Sequence, residues 1–549
     1  FYGEKGTFIN ASTGKIETKG NLAHAVVLKQ KSTIKDEMKF HHYGEINVSS
    51  PDGIAPNGAT GNIGVFSDGY ALANFYDGSK IYVGDDSIGI HTSKEDAFND
   101  TFKNLGTLNI KIRKRSTFAY LNGNATTTLK QFFDSVNTRD NNKKITVNIE
   151  EEMGENSSLV YADNGAKALL DGNYTITKGN ENPSTIALLA ANASNVTVDS
   201  GKTLTTNTQV ALAAVSSSTA QNDGTVVSNR SDEGIGIYAQ DTGSKGINTG
   251  TITMEKTKAI GMYGKDVAKL ESSTGTITMK KTGSVGMYGV VSASATVPPF
   301  TVTNAGTIEL EEGGSAGIYL VNNSTKTTPA DKIANLSASN TETIKLKSGE
   351  GSIGIYAPKA TISDVGTITM ADVVKKSIAA YISDGGKITN ASTANINLGT
   401  NGSNIAYYVK NAGTSIEGAN VGTVKGYGVG VYLEGTKANP TATPAVPASQ
   451  ATLGANAPEL KFNNGTTDGN GIVGLYLKGD TDISAYTKTI TVGNTVGTNS
   501  AIGIYSDAQG VSGTPYVIKA NIKTGTKAVG IFSAPDREPV PPATIPTPN

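Results

Sequence analysis

The chain has no cysteine and no tryptophan among its 549 residues, only 4 histidines, and few charges, at 17%. Without cysteine there is no disulfide framework, and with so few imidazoles most transition-metal sites lose their ligands. Stability has to come from packing and from hydrogen-bond ladders. No run of about 18 apolar residues occurs, so a membrane-spanning helix is not expected. The 47 basic and 48 acidic residues leave a net charge of −1, which gives no electrostatic footprint for nucleic acid or an anionic membrane surface. The chain opens at Phe1 without a signal peptide and reads as a mature fragment of something longer. No Gly-x-Ser-x-Gly elbow, His-Glu-x-x-His, phosphate-binding loop or nine-residue calcium repeat is present. The common hydrolase, metalloprotease, nucleotide and calcium readings therefore lack support, and no cofactor is expected.

What is present is glycine, 64 residues of it, with abundant Thr, Ser, Asn, Ile and Val, a composition of strands and turns. An apolar, Gly, apolar, Tyr block recurs at Tyr238, Tyr263 and Tyr288, 25 residues apart each time. It continues at Tyr319, Tyr356, Tyr381, Tyr408, Tyr432, Tyr476, Tyr505 and Phe532, with gaps of 31, 37, 25, 27, 24, 44, 29 and 27. A Gly-Thr-Ile block keeps phase with it, since Ile252, Ile277 and Ile308 each precede their Tyr by 11 residues. Weaker copies run upstream through Phe66, His91, Tyr120 and Tyr161. A single globular core stops growing beyond about 250 to 300 residues, whereas stacked repeats bury their faces only against neighbours. The fold class expected is all-β, a right-handed parallel β-helix of about 20 coils, about 17 of them between Phe66 and Phe532.

Successive strand residues point to opposite faces. Counting back from each Tyr, Ile353, Ile355 and Ala357 are expected to line the core. The Gly two positions before the Tyr, and the Tyr itself, would then face out. Stacking makes Tyr238, Tyr263, Tyr288, Tyr319, Tyr356, Tyr381, Tyr408, Tyr432, Tyr476 and Tyr505 an external ladder, each ring covering the outward Gly beside it. In the Gly-Thr-Ile strand, Ile252 and Met254 face in and Thr251 and Thr253 face out.

Residues 1–60 read as less regular N-terminal coils, 61–534 as the solenoid proper, and 535–549 as a Pro-rich linker or chain end. Three insertions break the period: a helical one near 126–144, a polar loop near 322–340, and a Pro-, Ala- and Thr-rich loop near 435–458.

Polysaccharide-cleaving enzymes exist on parallel β-helices, and paired carboxylates are what such chemistry needs. Asp85 and Asp86, followed by His91, are the best candidates, although their place just before a strand suits an ordinary turn. Glu150, Glu151 and Glu152 read as a solvated turn. Flat aromatic faces can stack on sugars or proteins, yet a ladder on every coil describes scaffold. Phe132 and Phe133 in the helical insertion are candidates for an interaction patch, one of them being expected to pack the helix down. The binding residues otherwise stay unassigned.

The blocks Gly250 to Met254, Gly275 to Met279 and Gly366 to Met370, with the Gly, Ile or Met, Tyr block, resemble the passenger repeats of large fusobacterial type V autotransporters, over roughly Gly61 to Phe532. The resemblance implies a non-enzymatic adhesin segment on the bacterial surface. It would be held at the outer membrane by a C-terminal barrel that this chain lacks, be monomeric, and contact a host or bacterial receptor, protein or glycan. A β-helix polysaccharide-cleaving enzyme and a pure spacer carrying a distal head are the alternatives.

Overall fold

The computed structural model describes the chain except for residues 31–37, 50–59, 70, 93–97, 124–125, 138–140, 179–181, 295–297, 327, 437–448, 463–471, 495–499, 508–516 and 534–549. The expected Pro-rich tail and half of the loop near 435–458 lie outside the described residues. The fold is an all-β parallel β-solenoid of about 16 turns with almost no helix. The count falls slightly below the 20 coils expected. One reason is that the first coils are not all of standard length: Tyr2 pairs with Val27, but Val27 pairs with Phe66, 39 residues on. The chain divides into two compact units, Phe1–Lys256 with Met262–Lys269, and Thr257–Gly261 with Leu270–Asn549.

In the second unit a representative coil runs through Ile353–Pro358, Thr361–Asp364 and Thr367–Met370, one strand on each of three faces. Each strand pairs in parallel with its counterpart one coil on: Tyr356 with Tyr381, Thr361 with Lys387, Thr367 with Asn395. The third face stacks Ile277, Ile308, Ile344, Ile368, Ile396 and Val424 in register, all essentially fully buried. In the first unit Ile186–Ala190, Asn195–Val198 and Thr203–Thr206 make the equivalent coil, and Leu204, Val226 and Ile252 stack inside. Ile252 and Met254 are fully buried while Thr251 and Thr253 are half-exposed, as the alternation requires. β-branched residues suit these positions because they pack on a pleated surface at little rotamer cost.

The aromatic strand departs from strict alternation. The glycine two before the Tyr faces the interior, not solvent. A Cβ added at Gly354 would sit 3.0 Å from Ile368 Cδ1, one at Gly317 2.8 Å from Ile344 Cγ2, and one at Gly286 2.7 Å from Ile308 Cγ2. Ile355 beside Gly354 is also fully buried, so two consecutive residues are directed inward. Ile353 is thereby turned to the outer side, where it joins one continuous apolar cluster that runs along the coils through Ile378, Tyr381, Ile405, Tyr408 and Tyr432. The rings cover these apolar residues rather than the glycines. The glycine is needed because the third-face isoleucine already fills the space its side chain would take.

Two of the insertions also differ from expectation. Among the described residues near 126–144 only Lys130–Phe133 is helical, a single turn. It is followed by Asp134–Asn137, which pairs antiparallel with Lys143–Ile149. Near 322–340, a short helix Pro329–Ala334 replaces a plain loop, capped by the Thr328 hydroxyl accepting from Asp331 N. Leu336–Asn340 then rejoins the second face by pairing with Phe300–Asn304.

Candidate functional site

Asp85 and Asp86 form a turn, with Asp86 in the left-handed region at φ 51°. Asp85 Oδ1 accepts from Lys114 N at 3.1 Å. Asp86 is gripped by both Nε and Nη2 of Arg115 at 2.6 Å each. This bidentate hydrogen bond holds the Asp86 carboxyl below its ordinary range. Both carboxylates thus tie one coil to the next. His91 is placed elsewhere, in the outer ladder, between the rings of Phe66 and Tyr120 with centroids 4.9 Å away on either side. Burial pushes its pKa down to about 4. Glu151 accepts from Lys111 at 2.5 Å and pairs with Arg113 at 3.1 Å.

Phe132 and Phe133 are not an exposed patch. Both are buried to 1% exposure or less. Phe132 contacts the rings of Phe75, Phe98 and Phe118, and Phe133 those of Phe118 and Tyr174. The helical turn is a plug that fills the coil interior with aromatic volume.

The tyrosine ladder is present and external to the coil, but its faces are occupied. From Tyr288 through Tyr319, Tyr356, Tyr381, Tyr408, Tyr432, Tyr476 and Tyr505 to Phe532, neighbouring centroids lie 4.5–5.4 Å apart, nearly all with close to parallel planes. Tyr432 and Tyr476 retain only 2% and 1% of their surface. A ring stacked on both sides has no face left for a sugar. Tyr408 Oη donates to Glu434 and Tyr476 Oη to Asp507 Oδ2 at 2.8 Å. Burial first, and then these carboxylates, raise both phenol pKa values. In the first unit Tyr238 and Tyr263 stack at 5.1 Å.

A second ladder was not anticipated. Four residues before successive tyrosines, Ser284 Oγ accepts from Ala259 N, Ser315 Oγ from Ser284 N, Ser352 Oγ from Ser315 N and Ser377 Oγ from Ser352 N, at 3.1–3.4 Å, and Asn404 Oδ1 accepts from Ser377 N at 3.0 Å. All five side chains are buried. They satisfy backbone donors at the turn where the main-chain ladder is interrupted. The recurrence of Ser at a fixed distance before the Tyr was the available signal.

One concave arrangement of polar side chains lies in the first unit. Thr175, Ile176, Thr177, Thr205, Asn207, Asn229, Ser231 and Lys256 line a shallow polar groove of about 350 Å³ on the third face. Thr175 and Thr205 are register neighbours on adjacent coils. Asn207 Nδ2 donates to Thr177 O at 3.1 Å, which fixes that amide. Among the described residues no group of His, Asp or Glu is disposed to hold a metal, and no helix is long and apolar enough to cross a membrane.

A family model described as the BigA third pectate lyase-like domain matches residues 72–331, just under half of the chain. BigA is an autotransporter-like surface protein. No curated protein and no solved structure matches the chain.

Proposed function

We propose that this chain is a segment of a bacterial surface adhesin passenger of the autotransporter kind, non-enzymatic, monomeric, and acting by attachment to a protein or glycan receptor. The match to a domain of an autotransporter-like surface protein carries the reading. The repeat itself supports it, since a stack of near-identical coils supplies a rigid scaffold rather than one catalytic cleft. The fusobacterial type and attachment at the outer membrane belong to the same proposal. An enzymatic reading draws on the pectate lyase-like description of the matching domain. Against it, the best acid pair is committed to a turn and to an ion pair, Asp85 to Lys114 N and Asp86 to Arg115. Beads coated with the chain are expected to attach to bacterial or host cells in excess of beads coated with an unrelated β-solenoid. Equal attachment by both would sink the proposal. Release of reducing ends from polysaccharide, lost on Asp86→Asn, would replace it with the enzyme.

A further inference from the structure

The outer ladder of the second unit combines three properties that a purely structural role does not require. The first is continuity. From Tyr288 to Tyr505, eight of the chain's 22 tyrosines stand in one file, with neighbouring centroids 4.5–5.3 Å apart. At roughly 4.8 Å per coil, the file extends roughly 34 Å along the stack. The second is a pair of proton acceptors. Tyr408 Oη donates to Glu434, and Tyr476 Oη to Asp507 Oδ2 at 2.8 Å. Lys410 and Lys478 pair with Glu434 at 3.8 and 3.9 Å and hold it ionised, the form able to take a proton. The third is a difference in exposure. Tyr288, Tyr356 and Tyr505 are half-buried, whereas Tyr408 keeps 8% and Tyr476 1% of its surface. The two rings with carboxylates are therefore shielded, yet Tyr476 adjoins Tyr505, and Tyr408 is linked to Tyr356 through Tyr381.

The chain has no tryptophan and no cysteine, which leaves tyrosine as the side chain that gives up one electron most readily. From these observations we infer that the ladder is a site of one-electron oxidation, accepting an electron vacancy at its half-buried rings and holding it at Tyr408 and Tyr476. An oxidant of the radical or photoexcited metal-complex class takes one electron from Tyr505 or Tyr356 and is itself reduced by one electron. The vacancy passes between stacked rings, whose negative faces stabilise a neighbour that has become cationic. A phenol that has lost an electron is a far stronger acid than the phenol itself, so the vacancy rests where the proton has an acceptor. At Tyr408 the O–H proton moves to Glu434, and at Tyr476 to Asp507, each within hydrogen-bond reach. The products are a neutral phenoxyl radical and a carboxylic acid. An external one-electron reductant of the phenol or thiol class returns the electron, and the carboxyl returns the proton. The ladder thereby draws oxidation away from Met279, Met287 and Met370, interior residues of the same unit that are each 1% exposed or less.

This inference concerns the chain alone and needs no receptor, so it stands or falls apart from the adhesin reading. The whole chain is flash-oxidised with photogenerated ruthenium(III) tris-bipyridyl, and the phenoxyl radical is followed by transient absorption and by high-field electron paramagnetic resonance in D2O. The radical is expected to outlive that of free tyrosine amide by about tenfold or more. Its resonance should show an exchangeable deuteron donated to the phenoxyl oxygen, the one received by the carboxylate. Tyr408→Phe with Tyr476→Phe keeps every ring but should shorten the lifetime about tenfold and remove the deuteron coupling. Glu434→Gln with Asp507→Asn should do the same with all eight phenols in place, and serves if the ring variant does not fold. The circular dichroism spectrum and thermal midpoint check folding in both. A lifetime equal to that of free tyrosine amide, a lifetime unchanged in the carboxylate variant, or a resonance without the deuteron coupling would each overturn the inference.

Discussion

The aromatic strand is built differently at the two ends of the sequence. In the second unit the outer ladder is nearly all tyrosine, stacked close to parallel and anchored by carboxylates at Tyr408 and Tyr476. In the first unit the equivalent register runs Phe66, His91, Tyr120 and Tyr161, with the last pair edge-on at 81°, and then Leu189 and Ala213 stand where rings would be. The coils of Leu189 and Ala213 nevertheless keep their inner residues: Leu188 and Leu212 are as buried as Ile355. The coil therefore depends on its interior and its ladders of hydrogen bonds, and the outer rings add to a structure that stands without them. The first unit also holds all four histidines, which makes acid the sharpest way to separate the two regions.

His42 is fully buried between Phe40 and Phe75. Its Nδ1 accepts from Asn10 Nδ2 at 3.1 Å, so its Nε2 carries the proton and donates to Lys80 O at 3.1 Å. Only a neutral ring fits, because a proton on Nδ1 would face the Asn10 amide hydrogens. Burial accordingly pushes the His42 pKa down to about 4. An unfolded His titrates near 6.5. The stabilisation is therefore complete above pH 6.5, declines as the unfolded state takes up its proton, and is gone below about 4. The loss is on the order of 3 kcal/mol for His42 and of the same order for His91, whose pKa burial lowers to the same value. Hydrogen exchange at pH 7 and pH 4.5 should show the coils of residues 1–122 losing protection while those of residues 300–434 hold theirs. His42→Gln should flatten that difference. Equal loss in both regions would remove the histidines as its cause.

The next largest effect addresses the rings. Tyr381→Leu gives a coil of the second unit the residue that Leu189 supplies in the first. It removes two ring pairs, with Tyr356 and Tyr408, each worth about 0.5–1.5 kcal/mol. A loss of about 1–3 kcal/mol is expected in urea unfolding, without loss of the folded state. Leu189→Ala should cost less than Leu188→Ala, because Leu188 is inside the coil. The reverse order would mean that the outer face, and not the interior, holds the first unit together.

Much of the interior was legible in the sequence, and the reason is the period. The Gly-Thr-Ile strand alternates without interruption, so Ile252, Met254 and their counterparts could be assigned inward by counting in twos. The same count failed at Gly354 and Ile353, because the strand turns two consecutive residues inward, and a count from one end cannot see a break in alternation. The serine ladder was missed for a related reason. Its bonds run from one coil to the next, between residues such as Ser352 and Ser377, and a hydroxyl before a strand looks like any turn residue. Phe132 and Phe133 were misplaced because two adjacent aromatics on a helical turn suggest that one must be exposed; the turn instead lies where several rings can meet it. The groove was not legible at all, since Thr205, Asn229 and Lys256 are unremarkable until the coils bring them together.

The smallest effect concerns Asp86. Its ion pair with Arg115 is half-exposed on the Arg side, and exposed pairs contribute roughly 0–1 kcal/mol. Asp86→Asn keeps one acceptor for the guanidinium, so the chain should unfold at nearly the same urea concentration. Asp86 also occupies a left-handed turn conformation that Asn adopts as readily as Asp, which removes backbone strain as a competing cause. A loss well above 1 kcal/mol would mean that this turn, and with it the junction between the coils of Asp86 and Arg115, is held by charge to a degree the Tyr408–Glu434 junction is not. That outcome would reverse the present contrast, making the first unit the more electrostatically built of the two and its coils sensitive to salt as well as to acid.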